Sequence, residues 1–367
     1  MTGRPTPRRS AARQTLPFPQ RSIPFASLAV LFALVLLVSA GLLVAGCGSG
    51  TATTTTAAAP SSTTASTAAA ETTTSAAPAE TTTSVAVQPA GGVTYPVTVT
   101  DDTGKSVTIK AKPVHIVSTA PASTEILFAL GLGDRVVGVT SLDDYPPEAA
   151  KIAKIGDYQP NAEAIMALSP DLVLAYSENE AAMVSIKAAG APVVIFNASS
   201  FDQIYADIAL VGQAADATQK ATEVVDSIKA EVKTVTDAAA QSKFSPKVFY
   251  AVDNTLWTAG PGSFVDSMLK MVGATNVGAV QGGSAATQAY YQFTPEQLIA
   301  ADPDVILLPN TAYKSIDEFT NDPRFAQMSA VQNKHVYLVN DVIITRPGPR
   351  IGDGLKALFD AIQAGSK

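Results

Sequence analysis

The chain carries two glutamates at equivalent positions of a repeated stretch. Glu163 opens Glu163-Ala-Ile-Met-Ala-Leu-Ser-Pro-Asp-Leu-Val-Leu174, and Glu296 opens Glu296-Gln-Leu-Ile-Ala-Ala-Asp-Pro-Asp-Val-Ile-Leu307, which aligns with it without a gap. Each carboxylate stands in the first turn of a predicted helix, where it faces the positive end of the helix dipole. An ordinary role at a helix start explains both glutamates locally. The repeat itself predicts two lobes that each present one such carboxylate.

The elements that must position these glutamates follow from the surrounding residues. Asn161 and Thr294 are predicted helix N-caps, because their side-chain oxygens can accept hydrogen bonds from free amides of the first turn. Each helix is expected to end before the proline of its Pro-Asp pair, since the residue before proline is displaced from the α region. The apolar runs that follow, 172–175 and 305–308, predict strands buried on both faces, as in a parallel sheet covered by helices.

The beginning of the chain has the composition of a secretion signal. The chain has 367 residues, and arginines up to Arg21 precede an uncharged apolar run at 25–45 and small residues before Cys47. This pattern is typical of a lipoprotein signal peptide over residues 1–47, with Cys47 lipidated at the outer face of the cell membrane. An uncleaved anchor is the alternative, because the run is long enough to span a bilayer. Cys47 is the only cysteine, which excludes a disulfide framework and a multi-cysteine metal site.

The remaining chain divides into four segments. Residues 48–92 are rich in Thr, Ala and Ser and have too few large apolar residues for a core, so a disordered stalk is predicted. Residues 93–215 show a β-α-β rhythm, which predicts an α/β lobe with a mostly parallel sheet. A long helix is expected over 216–241, and residues 242–367 form a second α/β lobe. The predicted fold is therefore two α/β lobes, with sheets flanked by helices, joined by one long rigid helix.

Several stretches resemble ABC-importer substrate-binding proteins of the helical-backbone type, which capture cobalamin, ferric siderophores or haem. They are Ile116-Val-Ser-Thr-Ala-Pro-Ala-Ser-Thr-Glu-Ile-Leu-Phe-Ala-Leu-Gly131, Val137-Gly-Val-Thr-Ser, Asp144-Tyr-Pro-Pro-Glu148 and the Pro-Asp repeat. The resemblance extends from Val97 to Gln363 and implies a ligand between the two lobes. It also implies that Glu163 and Glu296 dock with arginines of a membrane permease, which works with an ATPase, through charge-assisted contacts.

Aromatic residues near the predicted cleft are candidate ligand contacts. Tyr158 lies just before the first repeat copy, Trp257 is the only tryptophan, and Tyr290 and Tyr291 precede the second copy. The resemblance places Tyr158 and the Tyr290-Tyr291 pair against a large planar chelate, which aromatic surfaces grip well. Trp257 precedes a glycine loop of the predicted second lobe. Ordinary packing is the alternative for each of them. Tyr158, Trp257 and Tyr291 are the aromatic contacts that we predict.

Arg346 and Arg350 are the predicted polar contacts of the ligand. They lie where the last strand of the second lobe gives way to the final helix, and such loops line the crevice of parallel sheets. Surface charge or pairing between helices is the alternative. We expect the transported ligand to be a corrinoid, because the loops at Asp144 and Gly156 resemble those of corrinoid binders, with an Fe(III) siderophore or haem next. No intrinsic cofactor is expected.

Other functions agree less well with the sequence. His115 and His335 are the only histidines and begin predicted strands in different lobes, whereas a zinc or manganese site needs three or four ligands. Motifs of hydrolases, metalloproteases and phosphate-binding loops are absent, which argues against an enzyme. The formal net charge of −7 argues against nucleic-acid binding. We expect a monomer, and a surface receptor or adhesin without transport is the alternative function.

Overall fold

The computed structural model describes residues 92–177, 181–280 and 288–366. Contacts divide the chain into two units, and all of the described residues belong to the second unit, which begins at Thr83. The predicted signal peptide, Cys47 and nearly all of the predicted stalk lie outside the described residues. Within the described ranges, no helix is long and apolar enough to cross a bilayer.

The first lobe is a parallel sheet with helices on it, preceded by a hairpin. The antiparallel hairpin consists of β1 (Val97–Thr100) and β2 (Ser106–Ile109). The sheet strands are β3 (Ile116–Ser118), β4 (Val136–Val139), β5 (Ala153–Lys154), β6 (Leu172–Ala175) and β7 (Val193–Ile195). They are parallel and lie in the order β5-β4-β3-β6-β7. The α-helices are α1 (Pro121–Ala129), α2 (Ala162–Ala167), α3 (Ala181–Ala188) and α4 (Phe201–Ala214).

A long helix and the second lobe follow. The long helix is α5 (Thr218–Gln241). The strands of the second lobe are β8 (Lys247–Tyr250), β9 (Trp257–Ala259), β10 (Thr275–Asn276), β11 (Tyr290–Gln292), β12 (Val305–Pro309) and β13 (Val336–Val339). The order β10-β8-β12-β13 is parallel, and β9 and β11 form an antiparallel pair. Its helices are α6 (Phe264–Met271), α7 (Val277–Val280), α8 (Pro295–Ala301), α9 (Asp317–Thr320), α10 (Ser329–Gln332), α11 (Asp341–Thr345) and α12 (Ile351–Ala364).

The two copies of the repeat have the same local structure. Asn161 and Thr294 each accept a backbone N–H of the first helical turn through their side chains, at 3.0 and 3.2 Å, which confirms both predicted N-caps. Ser169 and Asp302, which directly precede the prolines, have φ angles of 48° and 39°. A left-handed residue before proline cannot continue the helix, so each copy turns here into its buried strand.

The aspartates of the two Pro-Asp pairs have the same structural role in both lobes. Asp171 accepts hydrogen bonds from the backbone N–H groups of Val114 and His115 at 2.8 and 2.9 Å, just before β3. Asp304 accepts from the N–H of Lys247 at 2.7 Å, at the start of β8. In each lobe the carboxylate therefore fixes the start of the neighbouring strand. The strands that follow the aspartates, β6 and β12, are fully buried, as their apolar sequences predict.

The long helix lies between the two sheets in sequence and packs against both lobes. Its 24 residues extend about 36 Å at 1.5 Å per residue, and it contacts α4 of the first lobe and α12 of the second. A continuous cluster of buried apolar side chains includes residues of both lobes. At its edge, Phe201 of α4 stacks on Phe264 of α6 with ring centroids 5.4 Å apart. This shared packing holds the lobes together along the helix and leaves little freedom for a wide hinge motion.

A buried carboxyl group connects the hairpin to α4. Asp207 is 3% exposed, and its Oδ1 has no hydrogen-bond partner within the described residues. Burial, and after it the neighbouring carboxylate of Asp102 in the hairpin turn, raise the pKa of Asp207 to about 8. Asp207 therefore remains protonated at neutral pH and shares a hydrogen bond with Asp102.

We expect the stability of the protein to fall between about pH 4 and pH 8 because of Asp207. In this window the unfolded chain has released the proton of Asp207 while the folded chain still holds it. The free energy of unfolding therefore falls with each unit of rising pH, by up to about 5 kcal/mol in all. The variant Asp207→Asn keeps a donor and cannot ionise, so its melting temperature should fall less over the same range. Thermal unfolding at pH 5 and pH 8 measures this. The control is Asp202→Asn, which changes an exposed aspartate of the same helix. Equal pH dependence of the melting temperature in wild type and Asp207→Asn would contradict the prediction.

Candidate functional site

Large aromatic side chains are exposed at the carboxyl edges of both sheets. In the first lobe, Tyr176 follows β6 directly and is 52% exposed, and Tyr158 follows β5 and is 83% exposed. In the second lobe, Trp257 begins β9 and Tyr290 begins β11, and they are 40% and 39% exposed. Loops at the carboxyl ends of parallel strands line crevices in α/β proteins. The exposed rings are therefore candidates for contact with a ligand.

Two of these tyrosines approach each other from opposite lobes. Burial raises the pKa of the Tyr290 hydroxyl, and the phenol of Tyr176 raises it further. The two phenols, one from each lobe, therefore influence each other electrostatically. Tyr176 has no counterpart among the residues that we predict from the sequence, and its position directly after a buried strand is the signal that identifies it.

The two tyrosines at the start of β11 have different environments because strand side chains alternate between faces. Tyr291, predicted as a ligand contact, is 3% exposed, and its hydroxyl donates a 2.6 Å hydrogen bond to the carbonyl of Gly278. Its ring packs against Phe293 with centroids 5.6 Å apart. The structure thus places Tyr291 in the core of the second lobe, and Tyr290 is the residue of the pair that faces outward.

Charged residues from both lobes form what we term the inter-lobe ion-pair cluster: Glu125, Asp144, Arg346 and Arg350. Glu125, on α1, has a side chain that is only 2% exposed. Arg346 donates from Nη1 to Glu125 Oε1 and to Asp144 Oδ1, both at 2.7 Å. Arg350 donates to both oxygens of Glu125, from Nε at 2.8 Å and from Nη2 at 2.5 Å. The cluster joins the first lobe to the loop between α11 and α12 of the second.

The surroundings of the cluster favour the charged forms of Asp144 and Arg350. Burial alone would raise the pKa of Asp144, but the hydrogen bond and the charge of Arg346 outweigh it, and the pKa is lowered. The hydrogen bond with Glu125 raises the pKa of Arg350 above its ordinary value. The guanidinium of Arg350 also lies over the ring of Tyr145, 3.9 Å from its centroid. Two carboxylates and two guanidiniums thus bring the formal charge of the cluster to zero.

Arg346 and Arg350, which the sequence predicts as ligand contacts, are paired with carboxylates in the structure. Both guanidiniums bond to carboxylates of the opposite lobe, although side-chain exposures of 15% and 22% leave them partly open to solvent. Glu125 lies in one of the stretches that carry the family resemblance, and its signal in the sequence is a charge within the apolar run Glu125-Ile-Leu-Phe. A buried carboxylate requires a charged partner, and here that partner comes from the other lobe.

The two repeated glutamates lie on the surface of both lobes. Glu163 is exposed in the first turn of α2, and Glu296 is exposed in the first turn of α8. Hydrogen bonds from its own backbone N–H and from the Thr294 hydroxyl lower the pKa of Glu296. Its carboxylate is therefore ionised at neutral pH and available to an outside cation.

The histidines lie in different lobes. His115 is exposed just before β3, whereas His335 is partly buried just before β13, with Nδ1 3.3 Å from the carbonyl oxygen of Asp304. Across residues 92–177, 181–280 and 288–366, no three His, Cys, Asp or Glu side chains are grouped as metal ligands would be.

Comparison with known proteins gives consistent relatives. The sequence profile of the periplasmic binding protein family matches residues 116–342. The chain is 37% identical over 277 residues to YvrC of Bacillus subtilis, an uncharacterized ABC transporter substrate-binding lipoprotein, covering 73% of this chain and 86% of YvrC. It is 30% identical to the vitamin B12-binding protein of Vibrio parahaemolyticus, covering 67% of this chain and 88% of that protein.

A solved structure extends the similarity to the fold. The periplasmic haem-binding protein RhuT from Roseiflexus sp. RS-1, in its apo form, superposes with a TM-score of 0.61 at 30% identity, covering 69% of this chain and 99% of RhuT. The matched family, the relatives and the two-lobed α/β architecture confirm the resemblance in the sequence. This chain belongs to the periplasmic binding protein family.

Proposed function

We propose that the protein is the substrate-binding component of an ABC importer. It captures a large metal chelate, a corrinoid in the first place, between its two lobes and delivers it as a monomer to a membrane permease. The observation that carries this proposal is the set of exposed rings at the carboxyl edges of both sheets, with Tyr176 and Trp257 as representatives. A planar chelate presents two large faces, and rings from opposite lobes are suited to hold both of them.

The corrinoid preference rests on three kinds of support. The vitamin B12-binding relative is similar over most of its length. The loops at Asp144 and Gly156 resemble those of corrinoid binders, and they carry the exposed rings of Tyr145 and Tyr158. Haem or a ferric siderophore is the next choice, since the haem-binding relative is equally similar in sequence. Binding, rather than catalysis, is what the relatives of this chain are named for.

Delivery depends in this proposal on the two repeated glutamates. Glu163 and Glu296 are exposed, lie at equivalent helix starts and come from different lobes. Arginines of a permease would form charge-assisted hydrogen bonds with such carboxylates. Contact with one glutamate from each lobe makes the permease sensitive to the relative position of the lobes.

Membrane attachment is proposed through Cys47. The apolar run and the small residues before this cysteine have the pattern of a lipoprotein signal. A lipid at Cys47 would place the binding lobes on the extracytoplasmic face of the cell membrane. The residues between Cys47 and the first lobe would then act as the tether, which raises the effective concentration of the receptor at its permease.

A titration of the protein with a panel of chelates tests the proposed function. Cyanocobalamin, a ferric hydroxamate, a ferric catecholate and haem are each added while the fluorescence of Trp257, the only tryptophan, is recorded. Isothermal calorimetry with the same panel detects binding that the fluorescence does not. We expect saturable binding of cyanocobalamin. Binding of another chelate alone would replace the corrinoid as the assigned ligand, and binding of none would contradict the proposal.

Trp257→Ala should weaken ligand binding. A lost aromatic contact costs about 1 kcal/mol, which corresponds to a dissociation constant about 5-fold higher. Calorimetry measures the affinity, because the variant has no tryptophan fluorescence. Trp257→Phe retains a ring and is expected to bind almost as wild type. Equal affinities of the alanine variant and wild type would identify Trp257 as a packing residue.

A further inference from the structure

The inter-lobe ion-pair cluster contains equal numbers of positive and negative charges, and this balance affects which ligand charge the cleft can accept. Arg346 and Arg350 are the cations of the second lobe in this cluster, and the carboxylates of Glu125 and Asp144 in the first lobe compensate both. Their formal charges therefore cancel before any ligand arrives. The cluster lies at the carboxyl edge of the first sheet, beside the exposed ring of Tyr145 on which Arg350 stacks.

A ligand carboxylate would meet an unfavourable environment at this cluster. To replace Glu125 as a partner of Arg350, it would have to leave a carboxylate that is 2% exposed with only one of its two cations, Arg346. To join the cluster without displacing Glu125, it would place a third negative charge next to two guanidiniums. Both routes oppose anionic ligands, because a buried carboxylate that loses one of its cations is destabilised and like charges repel.

A neutral polar ligand has no such penalty. Both hydrogen bonds that Arg346 makes within the described residues use Nη1. Its Nη2–H groups remain for the carbonyl oxygen of a ligand amide, since a guanidinium carries five N–H donors. Amide groups around the rim of a chelate would therefore be accepted where carboxylates are rejected.

We infer that Glu125 determines the charge preference of the cleft, which selects chelates with an uncharged, amide-bearing rim over chelates with free carboxylates. The inference rests on the proposed function and narrows its ligand class. It assigns Glu125 as a residue that acts on ligand choice through Arg346 and Arg350.

Two matched pairs of soluble chelates test the inference on the full chain in lipid nanodiscs. The first pair is cyanocobalamin and its derivative with one side-chain amide hydrolysed to a carboxylate. The second is the N-acetyl and N-succinyl derivatives of ferrioxamine B, which are neutral and anionic. Calorimetry on wild type should show the neutral member bound about 10-fold or more tightly than the anionic member. Equal affinities within a bound pair would overturn the inference and leave the proposed function intact. Binding of neither pair would overturn the inference, and binding of none of the wider panel of chelates would overturn the proposed function as well.

The variant Glu125→Gln assigns the preference to this residue. It keeps an acceptor for Arg350 and removes one negative charge. The difference in affinity between the neutral and the anionic chelate of each pair should therefore shrink to about 2-fold or reverse. Asp134→Asn removes the same charge from the amino edge of the first lobe, where Asp134 is exposed, and should leave the preference as in wild type. An unchanged preference in Glu125→Gln would overturn the assignment. The comparison on wild type decides the inference even where this variant does not fold.

Discussion

Changing Glu163 and Glu296 to arginine together is expected to reduce ligand uptake to background while the affinity for ligand stays as in wild type. Both side chains are exposed, so the change should not disturb the packing of either lobe. Each arginine would face permease arginines in the proposed complex, and like charges at contact distance oppose docking. Either change alone should leave partial uptake, because the other lobe can still dock.

Uptake of labelled ligand by cells with the cognate permease measures this effect, and calorimetry on the purified variant measures the affinity. The control carries Asp134→Arg and Glu223→Arg, which change the charge equally at exposed positions of the first lobe and of α5. Thermal unfolding separates a docking defect from the small loss of helix-dipole stabilisation, about 0.3–1 kcal/mol for each glutamate. Wild-type uptake by the double variant would refute the docking role.

Removal of the Glu125 carboxylate should destabilise the folded protein strongly. Glu125→Ala leaves two partly buried guanidiniums without their shared partner, and breaking a buried ion pair from one side costs about 3–5 kcal/mol. Because Arg346 keeps Asp144 and both arginines are partly solvated, we expect about 3 kcal/mol. Urea unfolding of wild type and variant gives the difference in the free energy of unfolding.

The double variant Glu125→Ala with Arg350→Ala identifies the source of this loss. If the two residues act as a pair, the double variant is less destabilised than the sum of the single variants. Glu223→Ala, at an exposed position of α5, is the control and should change the free energy of unfolding by about 0.5 kcal/mol or less. A loss as small in Glu125→Ala would show that solvent already stabilises the guanidiniums.

The fold was accessible from the sequence because its determinants are local. The caps at Asn161 and Thr294, the prolines after the two helices and the apolar runs at β6 and β12 act within a few residues of each other. The repeat then showed that the same unit occurs twice. The role of the Pro-Asp carboxylates was not predicted, since Asp171 bonds to residues more than fifty positions earlier in the chain.

The site was only partly accessible for the same reason. Glu125 pairs with Arg346 and Arg350 across 221 and 225 positions, so no local pattern links them. Alternation along a three-residue strand decides that Tyr290 is exposed and Tyr291 is buried, and a shift of one residue would reverse the two. Charge and aromatic content pointed to the loops that carry these residues, whereas the pairing within the loops required the fold.

The buried cluster shared by both lobes has a consequence for the unfolding of the protein. Side chains of α4, α5, α6 and α12 pack in one continuous interior, so neither lobe can lose its structure without exposing apolar surface of the other. The lobes are therefore thermodynamically coupled, and a residue change that weakens one lowers the stability of both. The two lobes should therefore unfold in one cooperative transition, and a local destabilisation lowers the stability of both lobes.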